Sequence, residues 1–213
     1  MTEIVRVFGI PKDEIFNTIS HGIGFLLSIP AVILLLVFAY LYGEFIHILS
    51  FSIYGGSLIM LYFASTVYHM AKKPALKRKL NLFDHSAIYI LIAGSYTPFT
   101  LVTLKGPEGF WMFVAIWVLA LAGIIYKIYF IGKYPLLSAI GYVLMGWIII
   151  FEIQPLIDNL ATGGLLLLFA GGLSYCIGVL FFIKNNTSSH GIWHIFVLFG
   201  SLFHFSAVLF YVL

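Results

Sequence analysis

The sequence predicts an all-α membrane protein, a bundle of seven transmembrane helices, and three observations predict it. Of its 213 residues, 62% are hydrophobic and only 9% are charged, where a soluble domain carries roughly 25% charged residues. Seven segments approach the ~20 mostly apolar residues that a bilayer span requires. They are Thr18–Tyr42, Phe45–Met70, Phe83–Leu104, Phe110–Phe130, Leu136–Phe151, Gly163–Ile183 and Gly191–Leu213. The third observation is the placement of cations. With the spans numbered in order, one side of the membrane receives the N-terminus and the 2–3, 4–5 and 6–7 loops. That side holds Arg6, Lys12, Lys72, Lys73, Lys77, Arg78, Lys79, Lys127, Lys133 and Lys184, ten of the eleven basic residues, and only Lys105 falls on the other. Adding or dropping a span would scramble this asymmetry. The excess of Lys and Arg in cytoplasmic loops puts the N-terminus in the cytoplasm and the C-terminus outside.

Taken in order, the elements are plain. Met1 to Pro11 carries Glu3 and Arg6 and no cleavage site after a short apolar core, so no signal peptide is expected. Pro30 and Pro98 sit inside spans 1 and 3, where they bend a helix or free a carbonyl. The run Ala93-Gly-Ser-Tyr-Thr-Pro-Phe99 is polar for mid-span and should face an interior cavity. Span 5 is the shortest. In span 6, Gly164, Gly171 and Gly178 recur every seven residues, a smooth stripe against which another helix can pack closely. The single cysteine, Cys176, can form no internal disulfide and reads as an inert buried thiol. Connections are short throughout, so residues 1–213 read as one integral membrane domain. The cationic run Lys72–Lys79 fits anionic lipid rather than nucleic acid.

The polar residues collect at one depth. Span 2 ends at His69 on the basic side, span 3 starts there with Asp84 and His85, and span 7 starts there with His190 and His194. Residues four apart lie on one helical face about 6 Å apart along the axis, so His190 and His194 can reach one ion. Ser65 lies one turn deeper than His69 on the same face. Ionisable residues inside a membrane are costly and face one another or a cavity. Neutral imidazoles suit Zn²⁺ best among first-row metals, with Fe²⁺ and Ni²⁺ as alternatives, and three protein ligands with one open position is the common catalytic zinc arrangement. Asp84 either ligates directly or holds a water as general base, and Ser65 steadies an oxyanion or that water. His21 and His85 read as polar wall residues. His85 follows Asp84 directly, so the two are not expected to point the same way. His204 stands ten residues beyond His194, about 15 Å deeper, and His47 is interfacial at the far end of span 2.

Seven spans with Ser65-x-x-x-His69, Asp84 heading span 3 and His190-x-x-x-His194 in span 7 resemble the progestin and adipoQ receptor (PAQR) family, and more narrowly its bacterial hemolysin III branch. The stretches Asn17-Thr-Ile-Ser-His-Gly-Ile-Gly24, Asp84-His-Ser-Ala-Ile-Tyr89, Ala93 to Thr100, Gly146-Trp147 and Trp193 to Val197 carry the likeness over nearly the whole chain. The resemblance implies a zinc ion near the inner leaflet, held by His69, His190 and His194, with Asp84 near a zinc-bound water and Ser65 beside it. It also implies ceramidase-like hydrolysis, signalling or control of membrane lipid state. The hemolysin label is nomenclature, since nothing in the sequence looks like a pore-forming toxin.

Two readings of function follow. In the first, the protein is a zinc-dependent hydrolase of a lipid amide or ester in the inner leaflet, with membrane lipid as substrate. In the second, it is a non-enzymatic sensor or regulator of membrane homeostasis, with membrane lipid as ligand and zinc as a structural clamp between helices. A transporter fits less well, because the ionisable residues gather at one face and no broken-helix repeat is evident.

Overall fold

The computed structural model describes residues 6, 7, 10, 11, 14–184 and 186–213. Lys12 and the residues before Arg6, which enter the charge and signal-peptide readings above, lie outside these. A short antiparallel pair, β1 (Arg6–Val7) with β2 (Ile10–Pro11), precedes the helices. Among the described residues, seven helical spans are long and apolar enough to cross a membrane. These are α1 (Ile15–Tyr42), α2 (Phe45–Met70), α3 (Pro74–Pro98) with the π turn Phe99–Thr103, α4 (Gly106–Phe130), α5 (Pro135–Gly146) with the 3₁₀ turn Ile148–Glu152 and α6 (Ile153–Asn159), α7 (Thr162–Phe182), and α8 (Thr187–Tyr211).

Two boundaries differ most from those read off hydropathy. The third helix begins at Pro74, ahead of the apolar stretch that opens at Phe83. Pro74 presets the first turn, and Lys, Arg and Leu are good helix formers, so the helix runs out of the apolar region without ending. The fifth span extends beyond Phe151 to Asn159 because it is broken: α5 stops at Gly146, and the chain passes through the 3₁₀ turn into α6. A break in a span leaves backbone groups that must be satisfied inside the protein. Tyr96 of α3 does this. Its hydroxyl donates to the carbonyls of Gly146 at 2.7 Å and Met145 at 3.1 Å, and accepts from the Ile149 N–H at 3.1 Å.

The central element is α3. In its most apolar stretch 72% of residues are buried, against 22% in α1, α4, the fifth span and α7. Small residues permit this, since Ala87, Ala93 and Thr97 are fully enclosed and Gly94 lies against Ser57 of α2. The outer helices turn Leu26, Trp111, Leu121, Leu144, Leu166 and Phe210 outward, the apolar face a bundle offers to lipid. Between apolar helices in lipid, close packing replaces the hydrophobic drive, and the stripe on α7 supplies it. A Cβ at Gly164, Gly171 or Gly178 would run into Tyr211, His204 or Trp193 of α8. Pro98 marks the point where α3 widens into its π turn, a local adjustment seen where helical hydrogen bonding is interrupted.

Candidate metal centre

The N-terminal turns of α8 and the C-terminal turn of α2 bring His69, His190 and His194 together at the lysine-rich end of the bundle. One ring nitrogen from each lies within 4.8 Å of the other two. The ring centroids are 4.9 Å apart for His69 and His194, 4.7 Å for His190 and His194, and 5.3 Å for His69 and His190. The hydrogen bonds decide which nitrogens are free. His69 Nδ1 lies 2.7 Å from Glu14 Oε2, and an ionised carboxylate only accepts, so Nδ1 carries the proton. Nε2 of His69 is left as a lone pair, buried and without a partner. His194 repeats the arrangement. Its Nδ1 lies 3.1 Å from Ser20 Oγ, whose own proton goes to the Asn17 carbonyl, so Nδ1–H donates and Nε2 is released.

Glu14, just ahead of α1, is held by more than His69. Lys77 Nζ donates to Oε1 at 2.6 Å and Asn17 Nδ2 to Oε2 at 3.1 Å. Partial burial alone would raise its carboxyl, but the hydrogen bonds from His69, Lys77 and Asn17 outweigh it and hold the pKa at about 2. A carboxylate on the far nitrogen of a ligating histidine is the usual device for fixing ring orientation and tautomer at a metal. The donor set fits a metal ion: two imidazoles locked with lone pairs inward, a third beside them, and an orphaned buried nitrogen among them.

Among the described residues no carboxylate oxygen joins the three-histidine group. Asp84 and Ser65, both buried, line the cavity that the group opens into, and Ser65 Oγ has no hydrogen-bond partner. His85 lines the same cavity from the position next to Asp84. The cavity is narrow, about 100 Å³, and runs past Ile88, Ile92 and Val179 toward Ser95, Tyr96 and His204. There it adjoins a second cavity of about 430 Å³, walled by Phe99, Ile153, Leu156 and Leu165. The polar run of α3 thus faces interior space through Ser95, Tyr96 and Phe99. Cys176 lines the first cavity, only partly buried, and accepts from Trp147 Nε1 at 3.1 Å. His21 stacks on the His194 ring at 3.5 Å.

Sequence reasoning missed Glu14, Asn17 and Ser20 as partners. The signal was present: Glu14, Asn17, Ser20 and His21 recur at helical spacing along one face at the start of an otherwise apolar segment.

A family model described as haemolysin-III related matches residues 10–205. The chain belongs to the haemolysin III family. It is 46% identical over 215 residues to Hemolysin-3 of Bacillus cereus, covering 100% of this chain and 98% of that one. It is 49% identical over 201 residues to the Hemolysin-3 homolog of Bacillus subtilis (strain 168), covering 94% of each. The monocyte to macrophage differentiation factor of Homo sapiens is 35% identical over 163 residues, 73% of this chain and 67% of that one. This haemolysin III protein is accordingly a multi-pass membrane protein of the bacterial branch of the PAQR family.

Proposed function

We propose that the protein is a zinc-dependent hydrolase of a lipid amide or ester, working in the inner leaflet at the cytoplasmic face. One observation carries the reading: three histidines, two of them with Nδ1 committed and Nε2 released, meet where His190 and His194 line an apolar cavity together with Asp84 and Ser65. The placement of ten of the eleven basic residues supports the orientation. His69, His190 and His194 hold the ion, and Zn²⁺ so bound supplies Lewis acidity and acidified water at neutral pH.

The protein's own groups do the rest. The narrow cavity holds an acyl chain and excludes bulk water from the reacting carbonyl. Asp84 takes a proton from the attacking water and delivers it to the leaving nitrogen or oxygen. The water oxygen bonds to the carbonyl carbon as the C–N or C–O bond breaks. Ser65, whose hydroxyl is committed to nothing else, donates to the developing oxyanion.

The test is metal content by mass spectrometry with hydrolysis of ceramide-like and phospholipid substrates. Asp84→Asn is expected to keep its zinc and lose activity by about 10²-fold or more; full activity in that variant removes the role given to Asp84. A protein that binds no metal when zinc is supplied removes the catalytic reading. One that binds zinc but cleaves no lipid leaves the structural-zinc regulator.

A further inference from the structure

Lys127 was read from sequence as one more cation on the basic side of the membrane. It stands in the last turn of α4 and yet is only 2% exposed. A lysine enclosed within a membrane span is costly unless paired, yet among the described residues no ion pair forms to it. The groups within hydrogen-bonding distance of it are neutral, and Asp84 is a carboxylate near enough to act on its charge through space. Nζ donates to Ser138 Oγ at 2.6 Å, whose proton is spent on the Tyr134 carbonyl, and it lies 5.6 Å from the centre of the Tyr142 ring. Its third neighbour is His85 Nδ1, at 3.3 Å.

An ammonium only donates, so His85 Nδ1 accepts and the imidazole proton sits on Nε2. The ring then has a cation on one side and the cavity on the other, the same cavity that Asp84, His190 and His194 line. A cation bonded to one nitrogen draws electron density from the ring and makes the opposite N–H a stronger donor. Tyr142 fixes the backbone here by donating its hydroxyl proton to the His85 carbonyl at 3.0 Å. The arrangement mirrors that of His69, where a carboxylate behind the ring leaves a lone pair facing inward. Behind His85 stands a cation, and what faces inward is a proton. A lone pair suits a metal, whereas a proton backed by positive charge suits an anion.

We propose that His85, backed by Lys127, recognises the carboxylate of a single-chain amphiphile whose tail lies along the apolar cavity. The assignment deepens the lipid-site reading and rests on it for the position of the tail. Lys127 does not line the cavity, so it acts as a positioning residue through His85.

The experiment compares dodecanoate with methyl dodecanoate, bound to metal-stripped full-length protein in one detergent and read by the fluorescence of the cavity tryptophans. The acid is expected to bind about tenfold more tightly than the ester, the size of a hydrogen bond to a charged group. Lys127→Met and His85→Leu should each bring that ratio close to one while ester affinity and zinc content on reloading stay unchanged. Equal binding of acid and ester by the unaltered protein overturns the proposal, as does a ratio that survives either substitution. Should Lys127→Met fail to fold, His85→Leu carries the same test. No turnover is needed. A protein that prefers the acid but cleaves no lipid keeps this site and loses the hydrolase, and one that cleaves lipid without the preference does the reverse.

Discussion

At the lysine-rich end of the bundle His69 and His194 each spend Nδ1 on a side chain of another helix and keep Nε2 for the interior. Elsewhere two other histidines each spend a nitrogen on backbone, and His204 keeps its Nδ1 buried without a partner. His47 Nδ1 accepts the Glu44 N–H at 3.0 Å and caps α2, and His204 Nε2 lies 3.3 Å from the Leu168 carbonyl across the α7–α8 seam. Both pairs contain one residue type in one bilayer. What separates a metal ligand from a structural histidine here is which nitrogen the protein has left over, and toward what. His204 also shows that burial is a poor guide, because it lines the same cavity as His190 and His194 and still belongs to the packing.

The sharpest way to break this comparison is to remove one histidine from each set. His194→Ala should lose bound zinc altogether, from about one ion per chain to none by mass spectrometry, while His204→Phe retains it. Zinc loss in both variants would erase the distinction. Next in size is the outer partner. Glu14→Gln leaves all three rings in place but removes the charge behind His69, and zinc affinity, measured by chelator competition, should fall about 10- to 100-fold. An unchanged affinity would reduce Glu14 to the counterion of Lys77. Gly171→Ala addresses the packing set: the new Cβ overlaps the His204 ring and meets the Gly200 carbonyl at 3.2 Å. It should cost about 1–3 kcal/mol of stability, read as a lower melting temperature in detergent with zinc retained. His47→Ala, losing one cap contact, should cost about 1 kcal/mol and leave zinc untouched.

Much of this was legible in the sequence, for identifiable reasons. Hydropathy reads the span count because a bilayer imposes it, and a His-x-x-x-His pair reads as one helical face wherever the helix goes. The meeting of His69 with His190 and His194 was legible from the order of the spans, which fixes the end of the membrane each reaches. What escaped were contacts between helices remote in sequence: Glu14 with His69, and Ser20 with His194. Nothing local in the apolar run after Glu14 says which helix it will lie beside. The burial of Lys127 escaped for a related reason, since near a span end composition alone gives no view of whether a lysine reaches water or turns inward. The break after Gly146 hid because Ile148–Phe151 is as apolar as any helix, and its backbone is satisfied by Tyr96, fifty residues away.

The seam between α7 and α8 and the break in α5 both border the cavity, and they are built to opposite standards. Three glycines draw one wall so tight that a methyl group has no room. In the other wall the backbone at the interruption is tied across to α3 through one phenol. Such a chamber is mechanically lopsided. When something longer or bulkier enters, the glycine-lined side is stiff, the interrupted side is compliant, and the strain of fitting the guest falls on α5.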